Sequence, residues 1–318
     1  MQEKILDYLK RKQEYVSGDQ IAGRLGISRQ ALWKHIQDLK EAGYDIVAVP
    51  HLGYKLVSTP DRLFIFEISR DLNTKVLGRK IHYLESITST MPVAMRLGME
   101  GASEGTVVVA ESQTQGRGRL GRSWFSPKYK GIYFSLILRP KILPSRASIL
   151  TLLCSVSVCE AIKKISGLDP QIKWPNDIGL GQKKVAGILT ELNAETDAVN
   201  FLVAGIGLNV NNDKKNLPAG GTSLKEHGKK EFSRVPLLQE ILRALEANYL
   251  VFQKEGPEPV LKKARDCSMT LGRRVRVCVK HEHIEGEALD IDTDGGLLIR
   301  KDSGVMEKVM AGDVIHCR

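Results

Sequence analysis

Apolar residues return at helical spacing through the first part of the chain, then switch to alternation. Ile5, Leu6 and Leu9 mark one predicted helix, and Ile21 with Leu25 mark a second. Ser17 followed three residues on by Gln20 is a capping-box pattern that starts the second helix. Leu25-Gly26-Ile27-Ser28 breaks the rhythm. Gly26 suits a tight turn, and Ser28 suits the N-cap of a third helix that runs to about Ala42, where Gly43 ends it. In that helix Leu32, Ile36 and Leu39 form one apolar stripe, while Arg29, Gln30, Trp33, Lys34 and Gln37 project elsewhere. Two short helices joined by a glycine turn are the helix-turn-helix pattern. The outward side chains, with Ser28 at the helix start, are of the kind that reach phosphates and base edges in a major groove. Residues 44–57 alternate on either side of Pro50–Gly53, as two short strands of a wing would. Residues 1–60 are therefore expected to form a winged helix-turn-helix DNA-binding domain. A small helical protein-interaction module is the plainer alternative.

Ser58-Thr59-Pro60-Asp61 reads as a linker. Over residues 61–268, the strand-like runs VVVAES, GIYFSLIL, GILTEL and NFLVAGIGLNV are interspersed with helix-like stretches at 147–166 and 235–254. That order predicts an α/β or α+β domain. From residue 269 the pattern changes again. Val275–Val279 alternates, and Asp294-Gly295-Gly296 supplies turn chemistry, so residues 269–318 are expected to form a small β-barrel. The whole is a multidomain α+β protein.

Composition narrows the function. No run approaches the roughly 20 apolar residues that span a bilayer, and the N-terminus has no signal-peptide core. A cytoplasmic protein without a membrane partner is expected. The five cysteines are odd in number and include no CxxC, which predicts reduced thiols, and no His/Cys cluster has zinc-ligand spacing. The net charge of +10 points to polyanionic partners. It is unevenly spread: residues 1–58 hold nine Lys/Arg against seven Asp/Glu, whereas residues 112–159 hold eight Lys/Arg and no acid.

Inside the acid-free segment lies Gly116-Arg117-Gly118-Arg119-Leu120-Gly121-Arg122-Ser123-Trp124-Phe125-Ser126-Pro127. Glycines let the backbone approach a ligand closely, and arginines bring planar donors for phosphate or carboxylate. Because the segment sits between two strand-like runs, a phosphate-handling loop in a folded domain is favoured over a flexible RG tract. Trp124 offers a face on which a purine could stack, although a core tryptophan would read the same way. Further on, Lys173-Trp174-Pro175-Asn176-Asp177 is followed by Lys183-Lys184-Val185-Ala186-Gly187-Ile188, and Asn209 ends a buried strand in Gly205-Ile206-Gly207-Leu208-Asn209-Val210.

GRGRLGRSWFSP, KWPND, KKVAGIL and GIGLNV, in this order, resemble the biotin–protein ligase family, and the N-terminal winged helix resembles its bifunctional ligase/repressor class. The resemblance covers essentially the whole chain. It implies a central class II-synthetase-like ligase domain and a C-terminal SH3-like barrel. It also implies activity as a biotin–[acetyl-CoA-carboxylase] ligase, which activates biotin with ATP to biotinyl-5'-AMP and passes it to a lysine of a biotin carboxyl carrier protein. A carboxylate and an α-phosphate repel each other, so basic side chains must offset their charge.

The resemblance maps the bridging lysine to Lys184, three residues before Gly187. It maps the biotin site to Ser89, Thr90 and Met91, to Gln113, and to Gly116, Arg117, Gly118 and Arg119, with Lys184 and Gly187. Met91 departs from the family's usual Ser-Thr-Asn. The adenylate side maps to Arg119, Arg122, Trp124, Lys184 and Asn209. Lys184, Arg119 and Asp177 are the implied catalytic set, with Asp177 either metal-linked or structural. ATP, biotin and Mg²⁺ are the implied cofactors, with no metal ligands assigned. Operator DNA and a homodimer promoted by the adenylate complete the implied partners. Competing readings are a transcription factor whose central domain only senses a small molecule, a ligase for lipoate or octanoate, and an RNA-binding protein.

Overall fold

The computed structural model describes residues 1–279 and 282–317 and divides into two compact units, 1–62 and 63–318. In the first, α1 (Gln2–Lys12), α2 (Gly18–Leu25) and α3 (Arg29–Glu41) precede the hairpin β1 (Asp45–Val49) and β2 (Gly53–Ser58). The sequence signals act as expected. Ser17 and Gln20 form a complete capping box on α2, Gly26 ends it at φ 65°, and the Ser28 hydroxyl accepts from the Ala31 N–H at the start of α3. Ile5, Leu6, Leu9, Ile21, Leu32, Ile36 and Leu39 are all buried, which gives this small unit an apolar core.

The second unit continues with α4 (Ile65–Ser69), β3 (Ile81–Leu84), α5 (Thr90–Met99), β4 (Val107–Ala110), β5 (Gly131–Leu138) and α6 (Ala147–Ser166). Then come β6 (Gln171–Lys173), β7 (Asp177–Leu180), β8 (Lys183–Ala194), β9 (Val199–Asn209), α7 (Leu224–Gly228), α8 (Arg234–Glu255) and α9 (Glu258–Asp266). Strands β3 to β9 form one mixed sheet in the order β3-β4-β5-β9-β8-β7-β6, with only β3 and β4 parallel. One face carries the main core, where Phe134, Leu136, Leu202, Ala204 and Ile206 meet α6 and α8. On the other face a smaller cluster of Met91, Ala94, Val108, Ile137, Phe201 and Val203 packs α5 against the sheet.

The chain ends in β10 (Arg274–Val279), β11 (Glu282–Ile291), β12 (Leu297–Arg300), β13 (Met306–Val309) and β14 (Asp313–His316). They form a five-stranded antiparallel sheet in the order β13-β12-β11-β10-β14, in keeping with the small barrel expected. Val275, Val277, Ala288, Ile299 and Val314 join the main core of the central sheet, so the two share one hydrophobic interior. Trp174 fastens them: its indole N–H donates to the Gly295 carbonyl (3.0 Å), and its backbone N–H donates to Thr270 Oγ1 (3.1 Å). Among the described residues, no helix is long and apolar enough to cross a membrane, and all five cysteines are free thiols.

Candidate active site

On the α5 face, glycines replace side chains in the middle of the sheet. Register places Asp177, Gly187, Gly207 and Tyr133 in one cross-strand row, with Leu189, Gly205 and Ser135 in the row two residues along. A Cβ on Gly207 would lie 2.4 Å from Trp124 Nε1, and one on Gly205 would lie 2.5 Å from Met91 Sδ. These glycines make the floor of a cavity of about 730 Å³, open mouth included. Ser89, Thr90, Met91, Gln113, Arg117, Gly118, Arg119, Arg122, Trp124, Asp177, Lys184 and Gly187 all line it.

One end is neutral and hydrogen-bonded. Ser89 caps α5, and Thr90 opens the helix. The Thr90 N–H donates to Gln113 Oε1 (2.9 Å), and the Ser135 hydroxyl donates to Thr90 Oγ1 (2.8 Å). Met91 is buried against the glycine floor, so this end presents a thioether.

The other end is charged. The β7–β8 hairpin brings Lys184 Nζ to 2.6 Å from Asp177 Oδ1 and 5.4 Å from the centre of the Trp124 ring. The glycine–arginine loop folds back on itself: Gly118 N–H donates to the Arg122 carbonyl (2.7 Å), and Trp124 N–H donates to the Gly116 carbonyl (2.8 Å). Arg119 donates to Asn176 Oδ1 (2.8 Å) and to the Gly312 carbonyl (3.3 Å), and Arg122 pairs with Asp313. The turn before β14 therefore braces both arginines. Trp124 Nε1 is buried against Gly207 and has no hydrogen-bond partner among the described residues.

Two expected site residues do not line the cavity. Gly116 supports it from behind, because a Cβ there would meet the Trp124 carbonyl at 2.4 Å. Asn209 ends β9 as expected, but its Nδ2 donates to the Thr222 carbonyl (3.0 Å) outside the lining. Sequence reading missed Asn176 and Asp313. Asn176 lies inside the KWPND motif and ties it to β8 through the Ile188 carbonyl (2.9 Å), so a signal existed. Asp313 lies in the C-terminal sheet, and nothing local marked it. Nearby on β14, burial, then the charges of Lys173 and Arg273, push the His316 imidazole down to about 4.

In the first unit, Ser28, Arg29, Gln30, Trp33 and Lys34 are exposed, and Gln37 is half-buried. Trp33 is 57% exposed, unusual for so large an apolar ring, and Arg29 pairs with Asp19 of α2.

A cavity that sets neutral hydrogen-bonding groups at one end and clustered cations at the other can hold a polar-headed carboxylic acid against a nucleotide. Joined to a helix-turn-helix, it defines an acid-activating ligase with a DNA reader. Comparison with known proteins agrees. The Biotin/lipoate A/B protein ligase family matches residues 83–211, an HTH domain matches residues 1–55, and the Biotin protein ligase C terminal domain matches residues 270–317. The bifunctional ligase/repressor BirA of Bacillus subtilis is 38% identical over 95% of this chain and 94% of its own length. That of Escherichia coli is 32% identical over 95% and 92%. The Aquifex aeolicus biotin protein ligase, solved in complex with biotin and ATP, superposes with a TM-score of 0.65 at 31% identity, covering 76% of this chain and 99% of that one. The chain belongs to the family of bifunctional ligase/repressors, a group of biotin–protein ligases.

Proposed function

We propose that the protein activates biotin with ATP, transfers it to a lysine of a biotin carboxyl carrier protein, and represses transcription from operator DNA in response to biotinyl-5'-AMP. Residues 1–60 read DNA, residues 61–268 carry the chemistry, and residues 269–318 brace the arginine loop. The observation that carries the reading is the convergence of Lys184, Arg119 and Arg122 on a cavity whose far end is neutral. The neutral end suits the ureido head of biotin, and the cationic end suits its carboxylate beside the α-phosphate.

In the first step a carboxylate oxygen attacks the α-phosphorus, the bond to the bridging oxygen breaks, and pyrophosphate leaves. Lys184 sits between the two anions and lowers their repulsion, with Asp177 holding its ammonium in place. Arg119 and Arg122 take the phosphates, exchanging Asn176 and Asp313 for them. The Trp124 ring flanks the adenine. In the second step a neutral lysine amine attacks the acyl carbon, and AMP leaves with the bonding pair.

Magnesium fits as an ion carried in by the nucleotide. The cavity's carboxylates, Asp177 and Asp313, are already ion-paired, and no group of three His, Cys, Asp or Glu among the described residues could hold a metal. The nucleotide would hold the ion, which would neutralise the leaving pyrophosphate.

On α3, Arg29, Gln30, Trp33, Lys34 and Gln37 would enter a major groove from the helix that Ser28 caps. A homodimer is supported by β8. Its partner β7 pairs only as far as Gly187, and Asn176 bonds both backbone groups of Ile188, which leaves residues 189–194 without a ladder partner on that side among the described residues. The free thiols accord with a reducing cytoplasm.

The test is mass spectrometry of a carrier protein incubated with this protein, biotin, ATP and magnesium. One added biotinyl group is expected, and an unchanged carrier mass sinks the reading. Lipoate is disfavoured, because its apolar end would strand the Gln113 and Thr90 groups without partners. Pyrophosphate exchange that depends on lipoate rather than biotin would reverse that choice.

A further inference from the structure

Behind the neutral end runs a chain of hydrogen bonds that donate in one direction. The Ser135 hydroxyl donates to Thr90 Oγ1 (2.8 Å), and the Thr90 hydroxyl donates to Gln113 Oε1 (3.2 Å). Gln113 Nε2 donates to Ser126 Oγ (2.9 Å), and the Ser126 hydroxyl donates to the Trp124 carbonyl (3.1 Å). The direction is forced from both sides. A backbone N–H can only donate, so the Thr90 N–H fixes which atom of the Gln113 carboxamide is its oxygen. A carbonyl can only accept, so the Trp124 carbonyl commits the Ser126 hydrogen and leaves that hydroxyl's lone pair for Gln113.

We propose that Ser126, which is buried and does not line the cavity, is a positioning residue for recognition of the acid's head group. It acts by holding the Gln113 carboxamide in the one orientation that leaves an N–H pointing to ligand. With one Nε2 hydrogen committed to Ser126 Oγ, Gln113 has one uncommitted Nε2 hydrogen, so the group it meets must be an acceptor. Thr90 Oγ1 has one uncommitted lone pair, so it takes a donor. An acceptor next to a donor is the pattern of a cyclic urea, and the inference rests on the biotin reading above. The chain ends on the backbone carbonyl of Trp124, whose ring lies beside Lys184. Gly116 makes room for this: a Cβ there would meet Ser126 Oγ at 2.8 Å and Gln113 Nε2 at 3.1 Å.

The experiment is biotin-dependent pyrophosphate exchange in the full-length protein, with KM for biotin and KM for ATP measured separately. Ser126→Ala is expected to raise KM for biotin about tenfold, to change KM for ATP less than twofold, and to leave the melting temperature near that of the unaltered protein. Ser126→Thr keeps the hydroxyl and is expected to recover most of the loss. In a Gln113→Ala background, Ser126→Ala should add almost nothing, because its effect passes through the missing carboxamide. A KM for biotin unchanged in a folded Ser126→Ala protein overturns the proposal. So does a penalty that persists in full without Gln113, which marks a merely structural role. No biotin-dependent exchange by the unaltered protein removes the functional reading itself, and the positioning role with it.

Discussion

The two compact units solve recognition in opposite ways. In residues 1–62 the core is apolar, and the candidate recognition groups stand outside it in water, Trp33 and Lys34 among them. In residues 63–318 the corresponding groups line a cavity and are already paired: Lys184 with Asp177, Arg119 with Asn176, and Arg122 with Asp313. The difference follows the task. Duplex DNA is bound largely by releasing counterions from its phosphates, which needs solvated cations on a stable frame. Joining two anions needs charges that are oriented before the reactants arrive. The first unit is a platform, and the second is an arrangement of charges already held in pairs.

The sharpest way to break this contrast is to remove the platform. A chain starting at residue 63 is expected to lose operator binding altogether, by a factor of 10³ or more on the general scale of specific over non-specific affinity, roughly, while still labelling the carrier. Gel shifts and carrier labelling on the same preparation check it, and retained operator binding would show that the reader is elsewhere. Next in size, Lys184→Ala should slow adenylate formation by about 10³ with little change in melting temperature, because it deletes a charge that the fold does not need. Quench-flow measurement of adenylate settles it, and near-normal rates would remove Lys184 from the chemistry.

The smallest effect tests a half-buried ring on β14 of the second unit. Free histidine titrates near 6.5, whereas His316 in the folded protein is pushed down to about 4. As pH falls from about 6.5 to about 4, the unfolded chain takes up a proton that the folded chain resists. Stability should therefore decline over that window and level off above it. With the ring partly exposed, about 1 kcal/mol is expected after screening. Urea unfolding at pH 5 and pH 7.5 reads it. His316→Asn should flatten this part of the slope, and an identical slope in the variant would assign the effect to other groups.

Local signals were legible wherever the chemistry is local. The capping box at Ser17, the turn at Gly26, the N-cap at Ser28 and the strand runs that became β4, β5, β8 and β9 depend on neighbours a few residues away. The charged end of the cavity was legible too, because arginines spaced by glycines and a lysine near a hairpin turn are conspicuous. Asp313 was not, since its partner Arg122 lies 191 residues earlier and only the packed C-terminal sheet brings the two together. Asn209 ends its strand as read, and its Nδ2 donates to the Thr222 carbonyl, a partner that nothing local marked. The need for bare backbone at Gly116 has a cause that only packing reveals, the Trp124 carbonyl behind it. A strand pattern tells which residues alternate, and only the register tells which glycines line up across strands to leave a hollow.

That hollow is shaped by methyl groups that are missing. A single added carbon at Gly207 would collide with the indole of Trp124, so a mutational route to a narrower chamber is one step long. A roomier chamber cannot be cut from glycine, which has nothing left to trim. Of the walls nearest this floor, Met91 is the long flexible chain that can be shortened, and it is the natural position at which to redesign the protein to attach bulkier tags.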